Sequence, residues 1–85
     1  MNLQNIEAEQ SVLGGLMIDN SAWDVVCDVV VEEDFSRRDH RVIFRALSVL
    51  AADGIPMDSV TLSEWMDKQG VLDDVGSLGY LGSLA

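Results

Sequence analysis

His40, Ile43, Phe44, Leu47, Leu50 and Ala51 recur at steps of one, three and four, and no other stretch constrains the 85-residue chain as strongly. That spacing lays all six along one stripe of an α-helix and leaves Arg37, Arg38, Arg41 and Arg45 elsewhere on its surface. Ser36 and Asp39 form a capping-box-like pair, with Phe35 and His40 in the flanking staple positions, so the helix is predicted to start there. Asp53-Gly54 is the predicted stop. A three-turn amphipathic helix needs apolar faces to pack against, and a chain this short can hold one core and little else.

Three further segments carry helical patterns. Asn5 stands before Ile6, Glu7, Ala8 and Glu9, a capping side chain followed by two acids in the positive first turn, and Val12, Leu13, Leu16 and Met17 continue the helical spacing. Gly14 and Gly15 inside this helix cost about 1 kcal/mol each relative to alanine, a cost expected to be offset by close approach of another helix. Trp23, Val26, Cys27 and Val30 fall at i, i+3, i+4 and i+7 and predict a second helix, although Val25, Val26, Val29, Val30 and Val31 also suit a strand. Thr61 and Glu64 form another capping-box pair, with Val60 and Trp65 as the staple, and Gly70 closes that helix after Leu62, Trp65 and Met66. Leu78, Leu81 and Leu84 follow at a spacing of three. The expected fold is an all-α compact bundle of five to six short helices. Its predicted core contains Leu13, Leu16, Trp23, Val26, Ile43, Phe44, Leu47, Leu62 and Trp65.

Fifteen acids against five bases give a net charge of −10, which opposes binding to a phosphate backbone. The charge is uneven: residues 1–34 carry −8, residues 35–45 carry +3 through four arginines, and residues 46–85 carry −5. Pairing with surplus carboxylates, of this chain or a partner, is favoured for those arginines over phosphate contact. One cysteine, Cys27, excludes an internal disulfide and a multi-cysteine zinc site. No apolar run approaches a bilayer span and residues 1–9 do not read as a secretory signal, so a cytoplasmic, non-membrane protein is expected. Glu32, Glu33, Asp34, Asp39 and His40 are oxygen- and nitrogen-rich, yet their spacing matches neither an EF-hand loop nor a helical zinc motif, and a solvated acidic connector is the favoured reading. His40 lacks a nucleophile or second histidine to complete a catalytic site and is read as a core or boundary residue. Gly76, Gly79 and Gly82 are not followed by the Gly-Lys-Ser/Thr of a phosphate loop. No catalytic, cofactor-binding or metal-binding residue is therefore expected. Because the chain stops inside its leucine stripe, either a longer parent protein or a covering chain is expected, with Leu78 and Leu81 as candidate interface residues or, equally, core residues.

The run Ile6-Glu7-Ala8-Glu9-Gln10-Ser11-Val12-Leu13-Gly14-Gly15-Leu16-Met17 resembles the opening of the N-terminal domain of replicative DNA helicases of the DnaB family. The likeness continues through Asp34-Phe35, His40-Arg41-Val42-Ile43-Phe44, the Pro56 to Leu62 segment and Gly70 to Gly76, and ends at Tyr80-Leu81. The resemblance implies a single helical head over residues 1–85, placed before a helical hairpin, a linker and a motor domain. It implies a homodimer, a hexameric ring in the full-length protein, contact with primase, and ATP and Mg only in the motor, whose phosphate loop this sequence lacks. Ser77-Leu78-Gly79 departs from the family's aromatic-containing Gly-Gly stretch. The expected role is non-catalytic assembly and docking in DNA replication, without direct nucleic-acid binding; a stand-alone acidic adaptor for a basic partner is the alternative.

Overall fold

Asn5 caps the first helix through its side-chain oxygen, which accepts the Ala8 N–H at 2.7 Å, and α1 runs from Ile6 to Ile18. A computed structural model describes Leu3 and residues 5–72 and 78–84. Asp19 ends α1 and its carboxylate accepts the Ser21 N–H at 3.1 Å, opening a 3₁₀ turn over Asn20–Ala22. Asn20 ties this corner to a distant loop: its amide donates to the carbonyls of Leu16 and Met57 at 2.8 and 2.9 Å and accepts the Met57 N–H at 2.8 Å.

The second predicted helix is far shorter than its pattern. α2 covers Trp23–Val26 only, a single turn, after which Cys27 is exposed and Val30 alone returns to the core. Five β-branched valines lose side-chain freedom in a helix, and Val25, Val29 and Val31 lie more than half exposed, so little burial exists to repay a longer helix. A second 3₁₀ turn, Glu32–Asp34, follows, with the Asp34 carboxylate accepting the Val31 N–H at 2.8 Å.

α3, Arg38–Ala52, is the long amphipathic helix, and α4 spans Ser59–Lys68. Both end on a glycine in the left-handed region, Gly54 at φ 70° and Gly70 at φ 72°. After each, the next N–H reaches back to the last turn, Ile55 to the Leu50 carbonyl and Val71 to that of Met66, both at 2.9 Å. The start of α4 differs from the prediction. Asp58, not Thr61, is the cap: its carboxylate accepts the Thr61 N–H at 2.8 Å while the Thr61 hydroxyl accepts the Asp58 N–H at 3.0 Å. Val60 is consequently exposed, and the buried Met57 and Leu62 occupy the staple positions instead.

α5 spans Leu78–Leu84. α3 packs against α1 and α4, and α5 lies against α1 and α4, so the all-α bundle closes around one core, with no strand among the described residues. Of the predicted core, Leu13, Leu16, Ile43, Phe44, Leu47 and Leu62 are buried, while Trp23, Val26 and Trp65 are half-buried against it. Phe44 packs between Trp23 and Phe35, with ring centroids 5.3 and 5.1 Å away. Gly14 is buried, whereas Gly15 faces open space, and a Cβ there would meet nothing within 4 Å, so no helix among the described residues approaches closely at Gly15.

Candidate functional site

Among the described residues two polar side chains, Glu9 and His40, are fully buried, and they touch. Glu9 lies on the same face of α1 as Leu13 and Leu16, which carries its carboxylate inward. Its Oε1 meets His40 Nδ1 at 2.9 Å, and its Oε2 accepts the Ser36 hydroxyl at 2.5 Å and the Ser36 N–H at 3.1 Å. The Arg37 N–H adds a longer contact at 3.4 Å. Glu9 thus receives the backbone donors that precede α3. The predicted Ser36–Asp39 box does not form, because Ser36 gives its hydroxyl to Glu9 and Asp39 accepts instead from the Arg37 guanidinium and the His40 N–H.

On the far side of the ring, His40 Nε2 lies 2.6 Å from the Tyr80 hydroxyl on α5, and the two rings stack with centroids 6.1 Å apart. Gln10 donates to the same hydroxyl at 3.4 Å, and the Arg37 guanidinium sits over the Tyr80 ring, 5.5 Å from its centroid. Burial opposes ionisation of Glu9 and is the largest single influence on it. The Ser36 hydroxyl, the His40 ring and the N–H groups of Ser36 and Arg37 together outweigh that burial and hold the carboxyl at about 2, below its ordinary 4.5. An ionised Glu9 only accepts, so Nδ1 donates to it, and in the neutral imidazole Nε2 then accepts the Tyr80 proton.

The order carboxylate, imidazole, hydroxyl has the outline of a relay, but its central members have no exposed surface through which to meet a substrate. Its chemistry is that of a clamp joining α1, the start of α3 and α5. Among the described residues no buried side-chain nitrogen or oxygen lacks a partner.

The acidic connector disperses. Glu32 pairs with Arg45, Asp34 with the Val31 N–H, Asp39 with Arg37 and His40 with Glu9, so the grouping drawn from sequence is not one site. Leu81 is fully buried within the chain, the core alternative of the sequence reading, while the side chain of Leu78 lies outside the described residues, as do Gly76 and Ser77. Sequence reasoning placed His40 correctly but treated Glu9 as a first-turn acid and gave Tyr80 no role. The signal for Glu9 was present: Glu9, Leu13 and Leu16 stand at i, i+4 and i+7.

Comparison with known proteins adds an independent observation. The family model described as the DnaB-like helicase N terminal domain matches residues 1–85. The replicative DNA helicase DnaB of Buchnera aphidicola subsp. Acyrthosiphon pisum is 48% identical over 81 residues, covering 95% of this chain and 18% of the relative. The replicative DNA helicase DnaC of Bacillus subtilis is 39% identical over 82 residues, covering 96% and 18%. The crystal structure of the N-terminal domain of DnaB helicase from Mycobacterium tuberculosis superposes with a TM-score of 0.92 at 34% identity, covering 99% of this chain and 58% of that one. The chain therefore spans under a fifth of the length of these curated relatives.

Proposed function

The chain belongs to the family of DnaB-like helicase N-terminal domains, and from that premise we propose that it is the non-catalytic assembly and docking head of a replicative DNA helicase. In this role it supports ring oligomerisation and primase interaction during DNA replication, while ATP hydrolysis and unwinding belong to a motor domain elsewhere in the parent protein. A cytoplasmic location and the lack of direct nucleic-acid binding are parts of the same reading. The observation that carries it is the closure of the Glu9–His40–Tyr80 clamp: Glu9 and His40 are buried, Tyr80 is half-buried, and all three are occupied with joining three helices, which suits a rigid platform and not a reaction centre.

The test compares an intact helicase carrying this head with a version lacking residues 1–85, for ATP hydrolysis, oligomer size and primase binding. The expected outcome is retained hydrolysis with a weaker ring and reduced primase binding. Normal assembly together with normal primase binding would overturn the docking role. Loss of hydrolysis in an intact ring would overturn the exclusion of this head from the chemistry.

A further inference from the structure

We propose that the groove along the outer face of α3, lined by Arg38, Arg41 and Arg45 beside Val42 and Val71, docks an acidic segment of a partner protein. The groove encloses about 340 Å³ and is bounded on its other side by Glu32 and Glu33. Arg38, Arg41 and Arg45 stand at i, i+3 and i+7 and so share one helix face, on which Arg38 and Arg45 already have partners within the chain. They belong to the short basic stretch of a chain whose net charge is −10.

The groove already holds a carboxylate in the geometry the proposal requires. Glu32 receives Arg45 Nε at 2.9 Å and Nη2 at 2.8 Å, the two-pronged fit of guanidinium to carboxylate. The Arg45 hydrogen bonds hold the Glu32 carboxyl below its ordinary range against the effect of burial, and the charges of Arg45 and Arg41 add to them. Arg41 is exposed like Arg45, but unlike Arg45 its side chain makes no hydrogen bond to any described residue. Its donors are open to a carboxylate from outside, and a second one would compete with Glu32 for Arg45. Val42 and Val71 give the groove an apolar side, which favours an aliphatic side chain between the acids of the incoming segment.

The same arginines suit a peptide better than a nucleic acid. Screening limits exposed charges to about 8 Å at physiological ionic strength, so a short peptide senses mainly the groove. A polynucleotide long enough to bind would run on over the acidic remainder of the surface. The inference rests on the docking reading only in requiring a protein partner; its test involves neither ring nor primase, so either idea can fail alone.

The experiment is fluorescence anisotropy of a fluorescein-labelled peptide, Asp-Glu-Asp-Leu-Glu-Glu-Ile-Asp-Asp, titrated with the 85-residue chain, with labelled oligothymidine in parallel. The peptide is expected to bind saturably and more weakly as salt is raised. Arg41→Glu should weaken it about ten-fold or more through charge reversal at an exposed position. Arg41→Gln should weaken it less, and circular dichroism should show both variants folded. Glu32→Gln should tighten binding about three-fold by releasing the Arg45 fork. Absence of saturable peptide binding, or unchanged affinity in Arg41→Glu, would overturn the proposal. Tighter binding of oligothymidine than of the peptide would overturn it too, by assigning the groove to nucleic acid.

Discussion

The first turn of α3 and the rest of that helix are held by different physics. At Arg38–His40 the contacts are polar and directional: Glu9 reaches across from α1 to the donors of Ser36 and Arg37, and His40 passes the connection to Tyr80. From Ile43 to Leu50 the contacts are apolar, with Ile43, Phe44, Ala46, Leu47 and Leu50 buried among residues of several elements. The apolar region contributes in proportion to area and tolerates small shifts. The polar region contributes only while each donor and acceptor is matched, and it fixes which residues of three helices face one another. A platform with a defined surface needs both: the apolar body for stability, and the clamp for a single relative placement of α1, α3 and α5.

The largest expected effect lies in the apolar body. Phe44→Ala removes a buried ring packed against Trp23 and Phe35 and should cost about 3 to 5 kcal/mol, enough to unfold most of a domain this small. Chemical denaturation measures it; an unchanged midpoint would remove Phe44 from the core. This loss should be nearly the same at pH 7 and pH 3, because no titrating group is deleted.

Glu9→Gln should come next, at about 2 to 4 kcal/mol near neutral pH, because the histidine and the donors before α3 lose their charged acceptor while the side-chain volume is kept. Its dependence on pH separates the two regions. The Glu9 carboxyl sits at about 2 in the folded chain against an ordinary 4.5, so its stabilising contribution is complete above 4.5 and is lost as pH falls from 4.5 to 2. The difference between wild type and Glu9→Gln should therefore shrink over that window. A constant difference from pH 7 to pH 3 would show that Glu9 acts through shape and not charge.

The same division explains what the sequence made legible. Segments whose local chemistry and periodicity agree, such as α3 with its Gly54 stop and the Asn5 cap of α1, were readable because their signals lie within one or two turns. The start of α3 was misread because its donors are satisfied from 27 residues away, by Glu9, and a local box with Ser36 and Asp39 looked sufficient. α2 was read too long because a helical stripe of valines says nothing about how much of that stripe finds cover. Thr61 was read as a cap when it is the third residue after one, a register slip that both Asp58 and Thr61 invite as favourable cap types. In the clamp, His40 and the inward register of Glu9 were within reach of sequence, but Tyr80 was not, since its partner lies 40 residues away on another helix.

A smaller effect probes the helix stop in the apolar region. Gly54→Ala places a Cβ on a residue at φ 70°, where nothing crowds it within 4 Å, so the cost is the backbone strain alone, about 1 kcal/mol. A thermal melt lowered by a few degrees is expected. An unchanged melt would mean that the turn between α3 and α4 relaxes out of the left-handed conformation.

The smallest effect has the opposite sign and tests what α1 offers beyond its own chain. Gly15 is helical, exposed and uncrowded, with nothing within 4 Å of an added Cβ, so Gly15→Ala should raise stability by about 0.5 to 1 kcal/mol through reduced freedom of the unfolded backbone and better helix propensity. Neither the clamp nor the apolar body is touched, and the gain should be the same at pH 7 and pH 3. Ile18, 73% exposed, lies one turn further along the same helix. Measuring sedimentation beside the melt sharpens the result. Higher stability with unchanged self-association would make Gly15 a plain helix defect. Higher stability with weakened self-association would show that the close approach expected of this glycine is made by a second copy of the chain, because a methyl group that meets no atom of the described residues within 4 Å would then be disturbing a contact between chains.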